Sequence, residues 1–441
     1  MQVKIIILIY FLVVLVVGVY SYFKVKTPAD YYISGKRAGL ISVTGSMLAT
    51  ILGGSAILGT VELSRNLGWP AIWFLCCAAF GLLLLIPLVK NINKIGHFTM
   101  PELLGTFYGR KASFIASLII PVAWIGIVAV QIIAAAKILA GLGFISYNHS
   151  AILAGLVFVI FTLVGGQVGI LRTDTLQSVI LLTGLFIVFL FSFTNSELKP
   201  VETLHFDALF NDSFKPLDLI ILMLTYSTTF IVGPDIYSRV FCAKNEKVAS
   251  ASILITAFLL IAIAFALTWL GFFSETNEND GIISFATLKL PDWIYGLFIA
   301  ALLSAIISSG TTLLNAAMIL SELTTGNLAA RNALKFTQMY IIIIGAASIV
   351  IALYVTSIIQ TLMFALTIYS GAFVIPTLAG LLNLKVNKKR VVLAIVTGGL
   401  VALTGKIIYG FYNEMIGNII IISTYVLNAM LLFTPFRKNK R

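Results

Sequence analysis

The sequence predicts an all-α polytopic membrane protein with about 13 transmembrane helices. Three observations point to it. Apolar residues make up 60% of the 441 residues and charged residues only 10%, where a soluble domain carries roughly 25% charge. The mean hydropathy is +1.05. The apolar residues also fall in continuous blocks of about 20, the length at which a helix crosses the hydrocarbon, whereas a membrane β-barrel would alternate residue by residue.

The blocks run over 4–22, 40–62, 70–90, 113–142, 150–166, 175–194, 218–238, 249–273, 292–320, 337–356, 359–382, 391–410 and 417–435. The first follows Met1–Lys4 directly and has no small-residue cleavage site after it, so it is read as a retained helix and not a signal peptide. An odd number of spans puts the termini on opposite sides. Most of the 29 basic residues sit in alternate connections: Lys24, Lys26, Lys36 and Arg37; Lys90, Lys94, Arg110 and Lys111; Arg172; Arg239, Lys244 and Lys247; Arg331 and Lys335; Lys385, Lys388, Lys389 and Arg390; and the tail from Arg437. The other connections hold Glu197, Glu202, Asp207, Asp212, Glu275, Glu278 and Asp280. Basic loops stay cytoplasmic, so the N-terminus is expected outside, the C-terminus cytoplasmic, and the chain in the plasma membrane. The formal net charge of +12 is then a loop bias, and no nucleic-acid partner is implied.

The longest polar segments, 195–217 and 274–291, are too short for a soluble catalytic domain. Cys76, Cys77 and Cys242 suggest no disulfide framework, and His97, His149 and His205 lack metal-ligand spacing. An enzyme is not expected, because no nucleophile–base pair or carboxylate pair is present. No protein partner is implied.

The informative residues are the polar ones inside the spans. Gly53 and Gly54 weaken the second segment in mid-membrane. They either allow close helix packing or free carbonyls to hold a cation. In the ninth segment Ser308, Thr311 and Thr312 share a helix face, with Ser309 beside them and Ser304 one turn earlier. Such hydroxyls either bond neighbouring helices or bind a small hard cation. Thr173 or Asp174 could cap the sixth helix, or Asp174 could project into the bundle. Pro234 interrupts the seventh segment, where Asp235 and Arg239, spaced i,i+4, are expected to pair at the inner edge. Gln131 lies in an apolar stretch and needs a partner, either substrate or a neighbouring helix.

Five stretches, in this order, resemble the sodium:solute symporter family: Tyr32–Arg37 before the second helix; Gln131–Leu139; Gly165 and Gly166 with Thr173, Asp174 and Gln177; Arg239 with Ala243, Lys244 and Lys247; and Ser308 with Ser309. The resemblance covers roughly residues 30–390. It implies a LeuT-type 5+5 inverted repeat with one leading and two trailing helices. Residues 1–39 would hold the leading helix and a cytoplasmic loop, 40–194 the first repeat, 195–217 an extracellular loop, 218–382 the second repeat, and 383–441 the trailing helices and basic tail. Each repeat begins with a segment that has a plausible break.

By the same resemblance, sodium is the coupling ion. Its main site would be Ala49, Leu52, Ala305, Ser308 and Ser309. A second sodium site would use Asp174, Ser308, Thr311 and Thr312. The solute would sit near Gly53, Gly54, Ser55, Gln131, Thr228, Thr229 and Phe230. The sequence departs from the proline-transporting branch, which has an aspartate at the position of Ile51, and from the choline branch, which has a tryptophan there. Ala56 offers none of the polarity of sugar carriers. The implied function is sodium-coupled symport of a small organic solute across the bilayer. Its rivals are a proton-coupled permease of the same fold, a channel and a transport-inactive sensor.

Overall fold

The computed structural model describes residues 36–95, 99–143, 145–194, 206–273, 290–307, 310–328 and 330–434, with scattered positions between 5 and 32. Regular structure among the described residues is helical, and the only β-bridges there, Ala38 with Ala243 and Asn211 with Phe214, are isolated. Large apolar side chains face outward: Val122, Ile160, Phe186 and Phe258 are each more than half exposed. Ser46, Gln167, Asp174, Arg239 and Ser304 are fully buried. That inside-out distribution suits a lipid solvent, which welcomes apolar surface and cannot hydrogen-bond polar groups.

Ten helices among the described residues are long and apolar enough to cross a membrane, and one bent pair adds an eleventh. Tyr147–Leu163 is apolar but shorter. All coincide with predicted blocks. The first block, 4–22, lies mostly outside the described residues, although its described positions are helical. The expected polar connection at 165–174 is instead part of a helix that runs over Tyr147–Thr194, so Asp174 stands inside a helix and does not cap one.

The elements that build the site are two interrupted spans and the helices around them. In the first span, α1 (Leu40–Ile51) ends where Leu52 and Gly53 leave helical geometry, and α2 (Gly54–Leu67) restarts at a bend of 50°. α3 (Ile72–Leu85), α4 (Met100–Tyr108), α5 (Arg110–Gly141) and α6 (Tyr147–Thr194) follow. The second interrupted span consists of α7 (Pro216–Leu222), a π-turn at Met223–Ser227, α8 (Thr228–Val232) and α9 (Pro234–Cys242). Gly233 between α8 and α9 is extended, with φ −75° and ψ 131°. Pro234 fits at the first turn of α9, where its missing N–H would have had no helical partner.

α10 (Glu246–Gly271) is capped by Asn245, whose Oδ1 accepts from the Val248 N–H at 2.9 Å. α11 (Asp292–Ile307), α12 (Gly310–Thr325), α13 (Ala333–Tyr354) and α14 (Ile358–Leu381) complete the bundle, and α15 (Val391–Phe411) and α16 (Glu414–Phe433) trail it. α6 packs on both α1 and α11, and α5 packs on α2, α12 and α14. The two interruptions are thereby brought against α5, α6 and α12.

Candidate functional site

Each interruption leaves backbone groups that a helix would have paired, and the surrounding helices supply partners. At the first, the Ser55 N–H at the start of α2 donates to Gln131 Oε1 at 3.3 Å, and Gln131 Nε2 donates to Ser55 Oγ at 2.8 Å. Gln131 therefore satisfies a neighbouring helix end while still lining the central pocket. At the second, the Tyr237 hydroxyl donates to the Ile231 carbonyl at 2.8 Å and the Tyr369 hydroxyl to the Val232 carbonyl at 2.6 Å. Removing the latter donor in Tyr369→Phe should cost about 1–3 kcal/mol, the penalty of a buried unsatisfied carbonyl. A melting temperature equal to the parent's in the purified protein would show that Tyr369 does not hold this break.

Just before the break, threonine hydroxyls turn back on their own helix. Thr225 Oγ1 donates to the Ile221 carbonyl at 2.7 Å, Thr228 Oγ1 to the Leu224 carbonyl at 2.5 Å, and Thr229 Oγ1 to the Tyr226 carbonyl at 2.6 Å. The predicted solute contact Thr228 thus spends its hydroxyl on backbone. Thr229, Phe230, Ser55 and Gln131 line a partly open pocket of about 90 Å³. Trp124, Tyr226, Ile51, Leu362 and Leu366 form much of its remaining wall. Gly53 and Gly54 form the adjoining break.

Behind the pocket lies a buried polar cluster. Ser46 Oγ donates to Asp174 Oδ2 at 2.6 Å. Arg239 Nη2 reaches the same Asp174 oxygen at 3.2 Å, Thr311 Oγ1 at 2.6 Å and Thr50 Oγ1 at 2.5 Å, while its Nη1 donates to Ser238 Oγ at 2.9 Å. Both charged side chains are wholly buried. Asp174 Oδ1 is buried with no hydrogen-bond partner, so one carboxylate oxygen is left unsatisfied.

This cluster overturns the expected pairing of Asp235 with Arg239. The i,i+4 spacing would permit it. The guanidinium instead meets one Asp174 oxygen and two hydroxyls on α1, α6 and α12, more acceptors than one residue on its own helix offers. Asp235 is left to other donors: Trp124 Nε1 at 3.2 Å from both carboxylate oxygens, Thr312 Oγ1 at 3.1 Å and Asn315 Nδ2 at 2.6 Å. Thr311 and Thr312, adjacent in sequence, therefore serve different groups: Thr311 accepts from Arg239 and Thr312 donates to Asp235.

Ala49 and Leu52 lie at the end of α1, and buried Ala305 on α11. α11 packs against both α1 and α2. Ser308 and Ser309 fall outside the described residues. The readings from sequence missed Trp124 and Tyr369. The available signal was chemical, because a Trp N–H or Tyr O–H within an apolar span requires a partner.

The profile described as "Sodium:solute symporter family" matches residues 31–398. The Haemophilus influenzae sodium/proline symporter is 23% identical over 390 residues, covering 78% of this chain and 76% of that protein. The Rattus norvegicus solute carrier family 5 member 4 is 24% identical over 417 residues, covering 80% of this chain; the chain spans only 61% of that relative's length. A solved structure of a Na+-coupled sialic acid symporter, in a substrate-bound outward-open state, superposes with a TM-score of 0.76 at 19% identity, covering 99% of this chain and 98% of that one.

Proposed function

Because this chain belongs to the sodium:solute symporter family, we propose that it is a secondary active transporter that couples sodium entry to uptake of a small organic solute. The observation that carries this reading is the pair of interrupted spans facing one pocket, with Gln131 tying one and Tyr369 the other. Interrupted helices of this kind put backbone ends beside a midplane cavity, where ions and solutes can bind.

In this reading Ala49, Leu52 and Ala305 supply carbonyls, and Ser308 and Ser309 hydroxyls, to the main sodium. Asp174 Oδ1, with Thr311 nearby, is the group left for a second cation. The solute occupies the pocket bounded by Ser55, Gln131, Thr229 and Phe230. Residues 40–194 and 218–382 act as the two inverted repeats. The N-terminus lies outside and the basic C-terminal tail in the cytoplasm of a cell whose plasma membrane holds the protein. Sodium moving toward a negative interior contributes about 2.3 kcal/mol per charge per 100 mV. Sodium binding orders the α1–α2 break, the solute binds beside it, and each raises the other's affinity by the same factor. The bundle then rocks to open inward.

The test is sodium activation of uptake in proteoliposomes at fixed pH. Ser309→Ala should shift the sodium concentration for half-activation upward at least tenfold at unchanged protein abundance. Unchanged sodium activation in both Ser308→Ala and Ser309→Ala would overturn the site assignment. The open Asp174 oxygen favours one second reading, a proton taking the place of the cation there. Uptake that follows a pH gradient and ignores sodium would establish it.

A further inference from the structure

We infer that Asp235 is the recognition point for a cationic nitrogen, and that the solute of this pocket is an organic cation or carries a protonated amine. Asp235 lines the central pocket and is only partly buried, so part of its carboxylate surface faces the cavity. Arg239, the basic residue one turn away, turns its Nη2 to Asp174, Thr311 and Thr50 and its Nη1 to Ser238. The hydrogen-bond partners of Asp235 among the described residues are all neutral: an indole N–H, a hydroxyl and an amide. A carboxylate facing a low-dielectric cavity attracts a positive guest far more strongly than one in water does.

The neighbours of Asp235 also say which kind of cation. A small metal ion needs several oxygen acceptors around it. Here Trp124 offers a donor and no acceptor, and Asn315 turns its NH₂ toward the carboxylate. Beside the hydroxyls and amide already described, much of the cavity wall is aromatic and aliphatic: Trp124, Tyr226 and Phe230 stand beside Ile51 and Leu366. Tyr226 and Phe230 meet edge to face at 5.0 Å, which fixes both rings. Ring faces attract an organic cation and add apolar contact with its carbon skeleton. The sequence has no tryptophan at Ile51, but the fold brings aromatic rings to the pocket from α5, the π-turn and α8.

Binding of a cation here stands on the pocket's own geometry; its identity as the transported solute rests on the symport reading. The two separate in one experiment. Purified protein in lipid nanodiscs is titrated with benzylammonium, benzyl alcohol and phenylacetate, which share a ring and differ in charge. Each titration is run in sodium chloride and in potassium chloride at equal ionic strength. The expected order of affinity is ammonium, then alcohol, then carboxylate, with at least a tenfold gap between the first two. Asp235→Asn should collapse that gap to less than threefold while benzyl alcohol still binds. A flat or reversed order in the wild-type protein overturns the inference without needing the variant to fold. A gap that survives in a folded Asp235→Asn overturns it too. Sodium-specific stabilisation lost in Asp235→Asn, with no charge preference among the probes, would make Asp235 a sodium ligand and overturn the organic-cation assignment. Charge preference with no sodium effect would sustain the cation site and defeat sodium coupling. A sodium effect without charge preference would do the reverse.

Discussion

Arg239→Ala should strip this protein of most of its thermal stability and of its uptake. The Asp174 and Arg239 side chains are both fully buried, with Nη2 to Oδ2 at 3.2 Å. Truncating the arginine leaves a buried carboxylate whose one remaining side-chain donor among the described residues is Ser46, and takes from the Thr311 hydroxyl the guanidinium it now meets; the Thr50 hydroxyl keeps its bond to the Ser46 carbonyl. Breaking a buried pair from one side costs about 3–5 kcal/mol, because the surviving charge is uncompensated. Removing both charges is the discriminating control. Asp174→Asn combined with Arg239→Gln should melt higher than Arg239→Ala, since neither charge is then left alone. Melting curves of the purified variants in one detergent measure this. An Arg239→Ala protein that melts with the parent would show the cluster to be hydrated and the pair unimportant. Because Arg239 ties α9 to α1, α6 and α12, even a folded variant should lose the geometry of both interrupted spans together.

Gly81→Ala should be the most damaging single-methyl addition near the pocket. A Cβ at Gly81 would sit 2.1 Å from the Ser227 carbonyl oxygen and 3.1 Å from Phe230 Cβ. The near atom is backbone of the π-turn, so no side chain can swing aside. α3 must back away from the turn, and Phe230, a wall of the pocket, must move with it. Overpacking of this kind costs about 1–3 kcal/mol. The expected result is a lower melting temperature together with a raised KM for uptake. Gly399→Ala is the matched control: its new Cβ would meet its nearest neighbour, Ala372 Cβ, at an ordinary 3.5 Å, and it should behave like the parent. A Gly81→Ala protein with parental stability and KM would show that α3 does not set the π-turn.

The spans and their approximate limits were legible because lipid imposes one rule on every segment: about 20 apolar residues, with backbone paired internally. Pro234 was legible as a break for the same local reason, whereas Gly53–Gly54 left a break and close helix packing both open, and Pro121 and Pro376 stand inside continuous helices. The boundary at 165–174 was not. Gly165, Gly166 and Asp174 look like a connection by composition, yet the chain stays helical from Tyr147 to Thr194. Buried Asp174 finds Arg239 from a distant segment, and that pairing satisfies one oxygen without any cap.

Residue type and spacing by themselves determined that this chain lives in a membrane, that Pro234 interrupts a span, and which hydroxyls and carboxylates stand at membrane depth. Tertiary structure alone decided who pairs with whom. Arg239 had two carboxylates within its possible reach, one in its own helix and one 65 positions away. Local spacing favoured Asp235; the convergence of α1, α6 and α12 offered Asp174 with two hydroxyls. A guanidinium with five donors goes where more acceptors meet it. That choice, made by packing and invisible in the sequence, leaves the Asp235 carboxylate facing the pocket.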